Sequence, residues 1–80
     1  MKREELEEEM IIQHEDGDMF CIIRIPRRWS IFKGYVINPC LPVRAYRCRR
    51  DPNDPDHYIV DEDSIVTLDR KVLEKCSYVA

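Results

Sequence analysis

The four cysteines and two histidines of this 80-residue chain are its strongest candidates for metal or thiol chemistry. Structural zinc sites usually bring their ligands in close pairs such as Cys-x2-Cys. Here successive cysteines are 19, 8 and 28 residues apart, so no two of them share a zinc knuckle. Cys21 alternates with Ile23 and Ile25, which is typical of a buried core thiol. The sequence therefore predicts no metal site and no cofactor, and the one disulfide worth considering would join Cys40 and Cys48 across a hairpin.

Groups for general catalysis are scarce. The chain has no Gly-x-Ser-x-Gly motif, and its two glycines are too few for a loop that cradles phosphate. His57 lies near Asp54 and Asp56, and Cys48 could approach it in space. A Cys–His pair also needs a third group that orients the histidine, for which the sequence gives no indication. The acids 61–63 lack the surrounding pattern of a calcium loop. We therefore expect a binding module that is not an enzyme and has no small-molecule substrate.

Charge is distributed very unevenly along the chain. Residues 1–23 carry a net charge of −6, residues 24–50 a net charge of +8 and residues 51–80 a net charge of −5. The total of −3 therefore hides a central segment that contains eight bases and no acid. We call residues 24–50 the basic segment.

Arginine dominates the basic segment, and Trp29, Phe32, Tyr35 and Tyr46 are interleaved with it. Arginine stacks on aromatic rings and forks onto phosphates or carboxylates. Bases set among exposed aromatics are typical of a nucleic-acid surface. The segment predicts binding of nucleic acid or of an acidic protein surface through Arg24, Arg27, Arg28, Trp29, Lys33, Arg44, Arg47, Arg49 and Arg50.

A purely structural interpretation of the same charges competes with this one. The acidic flanks could pair with the basic segment inside the fold, since strands gain from opposite charges at facing positions. Aromatic residues such as Phe32 and Tyr35 are also more often core residues than stacking platforms.

The acids offer a second functional hypothesis. A negative surface can mimic a phosphate backbone, as in small inhibitory proteins of phages and other mobile elements, or it can dock an adaptor onto a protein partner. Aspartates are also common in exposed turns, where the carboxylate forms a hydrogen bond with the nearby backbone. The acidic face that this hypothesis predicts consists of Asp54, Asp56, Asp61, Glu62 and Asp63.

Short apolar runs separated by turn signals must position these residues, and they favour strands. Gly17 lies in an acidic turn, Gly34 is expected at a bulge or bend, and Asp61–Ser64 is expected to be a turn. Asp69 can cap a short C-terminal helix. The predicted strands are residues 10–14 and 19–25, which form a first hairpin, residues 30–38 and 43–49, which form a second, and residues 57–60 and 65–68.

The fold expected from these elements is mainly β, either a small SH3-like barrel or a strongly bent antiparallel sheet of five to six strands with a short C-terminal helix. A single domain would span residues 1–80, with 1–8 helical or disordered, 9–68 a β-rich core and 69–77 the helix. The longest apolar run is five residues, Met19–Ile23, and Glu4–Glu9 occupies the place of a signal-peptide core. We therefore expect a cytoplasmic protein, or one intracellular in a host, with no membrane partner. A homodimer through an open sheet edge is a further expectation.

Overall fold

A computed structural model describes residues 1–25, 30–37 and 42–79 of the chain. These residues form seven strands, one short 3-10 helix and one short α-helix. The strands are β1 (Ile11–His14), β2 (Met19–Arg24), β3 (Ser30–Phe32), β4 (Tyr35–Ile37), β5 (Val43–Asp51), β6 (Asp54–Leu68) and β7 (Cys76–Tyr78); the 3-10 helix is Arg3–Glu5 and α1 is Arg70–Glu74.

Five of the strands form one antiparallel sheet in the order β6-β5-β2-β1-β7. The mainly β chain with a short C-terminal helix is thus confirmed. Among the described strands, β6 and β7 remain as two open edges, so the sheet is not closed into a barrel and the SH3-like alternative is not confirmed. Strands β3 and β4 form a separate two-stranded hairpin.

The core lies on one face of the five-stranded sheet. Ile12, Phe20, Ile22 and Ala45 alternate along the three central strands and are nearly inaccessible to solvent. Leu6 and α1 contribute side chains to the same core, and α1 begins where the Asp69 carboxylate accepts a hydrogen bond from the Val72 N–H at 2.9 Å. The buried apolar side chains are Leu6, Ile12, Phe20, Ile22, Ile25, Val43, Ala45, Leu68, Leu73 and Cys76.

The second predicted hairpin is wrong in its pairing. Lys33 and Gly34 have φ values of 51° and 82°, and β3 and β4 pair directly on either side of them. Two successive positive φ values are typical of the tight turn that joins two strands. Gly34 is therefore in a hairpin turn rather than at a bulge within one strand. Strand β5 pairs with β2 and β6 instead.

Two further differences from expectation lie towards the C-terminus. The predicted turn at residues 61–64 is a bulge inside the continuous strand β6, because pairing with β5 shifts from Tyr46–Ile65 to Arg47–Asp61 and then continues. The expected helix over 69–77 ends at Glu74, since residues 76–78 pair with β1 as β7. Cross-strand hydrogen bonds to β1 have replaced the last helical turn.

Candidate nucleic-acid interface

The face of the sheet opposite the core presents part of the basic segment. Successive side chains of a strand point to opposite faces, so residues that alternate with the buried ones in β2, β5 and β6 share this second face. We call it the outer face. Strand pairing places on it Met19, Cys21, Arg24, Arg44, Tyr46, Cys48, Arg50, Tyr58, Val60, Ile65 and Thr67.

A β-bulge in β2 brings Arg24 to the outer face. Ile22 pairs with Ala45, and the next paired residue, Arg24, lies opposite Arg44. Ile23 is the extra residue that shifts the alternation by one position. Without the bulge, Arg24 would share the core face with Ile22. With it, Arg24 is exposed and Ile25 returns to the core at 8% exposure.

Arg24 and Arg44 are therefore direct cross-strand neighbours with the same charge. Like charges at facing positions destabilise a sheet. Within residues 1–25, 30–37 and 42–79, neither of these two arginines forms an ion pair, whereas Arg47 pairs with Asp18 at 3.4 Å. The acidic flanks thus leave this end of the outer face positively charged.

The other end of the outer face carries Arg50 and Tyr58. These residues are cross-strand partners, and the Arg50 guanidinium lies 5.5 Å from the centre of the Tyr58 ring, within range of a cation–π interaction. Arg50 also donates a hydrogen bond to the Pro55 carbonyl oxygen at 3.4 Å. Strand β2 begins at Met19, which pairs with Cys48. The part of the β5–β6 hairpin that contains Arg50 and Tyr58 therefore projects beyond β2.

The middle of the outer face is apolar and uncharged. Tyr46 is half-buried between its cross-strand partners Cys21 and Ile65, and Ile65 is 59% exposed. Burial, with a smaller contribution from nearby Cys21, raises the pKa of the Cys48 thiol to about 11. Burial also raises the pKa of Cys21. Both thiols are therefore neutral at physiological pH. Cys21, Cys48 and Cys76 are free thiols, whereas Cys40, and with it the considered disulfide, lies outside the described residues.

Arg47, Arg49 and Lys33, the other predicted basic residues that the structure describes, are not among those that strand pairing places on the outer face. Arg47 lies on the core face, 5.8 Å above the Phe20 ring. Arg49 is exposed on the same side, opposite Ile59. Lys33 is exposed in the β3–β4 turn. The remaining predicted residues, Arg27, Arg28 and Trp29, lie outside the described part of the chain.

The predicted acidic face is divided between two bulges of β6. In the first, the Asp54 carboxylate contacts the His57 ring and accepts the Asp56 N–H at 3.1 Å. In the second, the Asp61 carboxylate accepts the Ser64 hydroxyl at 2.7 Å and the Asp63 N–H at 3.0 Å.

These two hydrogen bonds lower the pKa of Asp61, and the bond from the Ser64 hydroxyl has the larger effect. Glu62 and Asp63 are exposed beside it. Asp54 and Asp61 therefore have a local role, which is to hold the two bulges in shape.

A shallow groove of about 530 Å³ on the core side contains the other cluster of titratable groups. In this groove His14 Nδ1 accepts the Asp16 N–H at 3.2 Å, and Arg47 lies 3.4 Å from the Asp18 carboxylate. The Asp18 N–H hydrogen bond is the main cause of the lowered pKa of Asp16. Among the described residues, no group of three or more His, Cys, Asp or Glu side chains is arranged to hold a metal ion. Arg47 and Asp18, among the described residues that line the groove, therefore neutralise each other.

Sequence reasoning missed Tyr58 and the grouping of Arg44, Tyr46, Cys48 and Arg50 on one face. The signal was present, because these four residues recur at every second position of the sequence 44–50, the period of a strand. The contribution of Arg24 could not be found in this way, since it depends on the bulge at Ile23.

None of the helices in the described ranges has the length and apolar composition needed to span a bilayer. No protein-family model, curated protein or solved structure shows a significant match to the chain.

Proposed function

We propose that this chain is a nucleic-acid-binding module that holds phosphate groups with the arginines of its outer face. The observation that carries the proposal is the pair Arg24 and Arg44, which are direct cross-strand neighbours without an acidic partner in the described part of the chain. A sheet gains nothing from facing like charges. An anionic ligand bound between the two guanidinium groups would attract both of them and so offset their mutual repulsion.

Arginine suits phosphate because its planar guanidinium can donate two parallel hydrogen bonds to one anion. Arg44 and Arg50 lie six residues apart on β5, which corresponds to about 20 Å along the strand. The positive charges therefore stand at both ends of the outer face, with an uncharged middle between them. A linear polyanion that runs along β5 would meet both ends.

A second copy of the chain fits this face less well. Two copies packed face to face would bring arginine ends against one another, whichever way the strands were aligned, and like charges across an interface oppose association. A homodimer through this face is therefore not proposed. The open edges of β6 and β7 leave the expected edge-to-edge dimer as a prediction.

The acidic residues give weaker support for an adaptor or inhibitor function. Asp54 and Asp61 use their carboxylates within their own bulges, so their positions already have a structural reason. Such a function stays a prediction, as does the expectation that the chain has no catalytic activity.

Fluorescence anisotropy with a labelled oligonucleotide of about 16 nucleotides tests the proposal. The variant Arg24→Glu/Arg44→Glu should lose binding. The matched control Arg70→Glu/Lys71→Glu makes the same charge change on α1, where the Arg70 side chain is 93% exposed, and should keep most of the affinity. Circular dichroism would verify that both variants fold. Equal losses in the two variants, or no loss in either, would contradict the proposal.

A further inference from the structure

We infer that the outer face selects single-stranded nucleic acid, with one base stacked on Tyr46 and another on Tyr58, beside Arg50. This inference rests on the proposed function, because the arginines must first hold the strand. It adds a preference that phosphate contacts alone do not supply.

The two tyrosines are placed to act in sequence along one strand of nucleic acid. Tyr46 lies four residues from Arg50 on β5, and Tyr58 is the cross-strand partner of Arg50. Four residues correspond to about 13 Å along β5. Both rings share the outer face, and both side chains are half-buried, so each keeps part of its surface in contact with solvent. The order along the face is therefore the pair Arg24 and Arg44, the ring of Tyr46, an apolar centre, and then Tyr58 beside Arg50.

Tyr58 and Arg50 are already arranged for such contacts. The guanidinium lies 5.5 Å from the ring centre, and the Pro55 carbonyl oxygen accepts one of its N–H groups at 3.4 Å. A side chain that is held before binding loses less conformational entropy on binding. The guanidinium N–H groups of Arg50 that are not bonded to Pro55 can thus donate hydrogen bonds to a phosphate, while a base packs against the Tyr58 ring.

The uncharged middle is the reason to choose single strands over duplexes. In a duplex the bases are already stacked on one another and the phosphates face outwards. Cys21, Cys48, Val60 and Ile65 would then lie against a polar, charged backbone without a matching surface. A single strand can turn its bases towards the protein, and base–aromatic stacking accepts every base because each has a π-face.

Three ligands of equal length test the inference with the wild-type chain: a single strand, the corresponding duplex, and a strand of abasic sites that keeps the phosphates but has no bases. We expect the ordinary single strand to bind more tightly than both others at the same salt concentration. In 13C-edited NMR spectra, the ring signals of Tyr46 and Tyr58 should shift upfield with the ordinary strand and not with the abasic one. This measurement needs no variant, so it is independent of folding defects.

Substitutions of the two tyrosines give a second test. Tyr58→Leu and Tyr46→Leu keep an apolar side chain and remove the ring, and each should weaken single-strand binding about 5- to 150-fold. Tyr58→Phe and Tyr46→Phe keep the ring and should retain the affinity. Binding of the duplex should not change in any of the four variants.

The outcomes separate the inference from the proposed function. Equal binding of ordinary and abasic strands, still lost in Arg24→Glu/Arg44→Glu, would overturn the stacking inference and leave the proposed function standing. An absence of binding to all three ligands at low salt would overturn both. Binding of an acidic peptide in preference to every nucleic acid would also overturn both, and would identify the partner as a protein.

Discussion

Replacing Arg24 by glutamate should stabilise the fold while it weakens binding. Arg24 faces Arg44 directly across β2 and β5, so Arg24→Glu replaces a repulsive pair with an attractive one. Charge pairs at facing positions contribute about 0.2–1 kcal/mol each in either direction. Both arginines are exposed, and exposed pairs fall in the lower part of such ranges. The expected gain in the free energy of unfolding is therefore about 0.5–1 kcal/mol, or about 2–8 °C in Tm for a domain of this size.

Urea denaturation followed by circular dichroism would measure this gain for Arg24→Glu, Arg44→Glu and the double variant. Each single variant should be more stable than wild type. The double variant should return close to wild type, because two glutamates again repel each other across the strands. The departure from additivity in this cycle measures the coupling between the two positions, because repulsive and attractive charge pairs alternate around it. The gain should shrink as salt is added, since screening weakens exposed charge pairs.

Three results would refute this reasoning. The first is a single variant that is less stable than wild type at low salt. The second is a double variant whose stability equals the summed effects of the singles, which would mean that Arg24 and Arg44 do not sense each other. The third is an Arg24→Glu chain with higher stability and undiminished affinity for nucleic acid, which would separate the arginine pair from binding.

Three other predictions concern single sites. Gly17 has a φ of 104° with room for a Cβ, so Gly17→Ala should cost about 1–2 kcal/mol of unfolding free energy from backbone strain alone; an unchanged urea midpoint would contradict this. Ser64→Ala removes the main cause of the lowered pKa of Asp61, so the Asp61 pKa should rise towards 3.8 in an NMR titration.

A carboxyl with a lowered folded pKa stabilises the fold above its unfolded pKa, and this contribution is lost as pH falls through the folded value. In the variant the folded pKa of Asp61 lies closer to its unfolded value, so the loss of stability from Asp61 below about pH 4 should be smaller than in the wild-type chain. The third prediction concerns Cys48, whose pKa is raised from 9.0 to about 11. At neutral pH it should hold about 100-fold less thiolate than an ordinary cysteine, so mass-spectrometric mapping after iodoacetamide treatment should show slow alkylation. An alkylation rate equal to that of the unfolded chain would contradict the raised pKa.

Local sequence patterns were sufficient for part of the fold. The hairpin of β1 and β2 follows from apolar runs on either side of an acidic turn that contains Gly17. The helix start follows from Asp69, whose side chain caps it as expected. These features depend on neighbouring residues alone, so they can be predicted from the sequence.

The features that were missed depend on partners far along the chain. The segment Asp61–Ser64 carries the side-chain hydrogen bonds of a turn, and only pairing with β5 on both sides of it makes it a bulge. Strand β7 forms because β1 offers an open edge to residues 76–78, which local helix preference cannot reveal. The candidate site behaves in the same way: alternation in 44–50 could be predicted, but the shift that brings Arg24 beside Arg44 could not.

The dependence of single-strand affinity on salt is the most direct test of the central claim that outer-face arginines hold phosphates. For single strands, the slope of log K against log salt concentration is about −0.7 for each phosphate neutralised. The variant Arg24→Gln/Arg44→Gln should therefore show a slope that is shallower than the wild-type slope by about 1.4. An unchanged slope in this variant would mean that these arginines do not touch phosphate and would contradict the account.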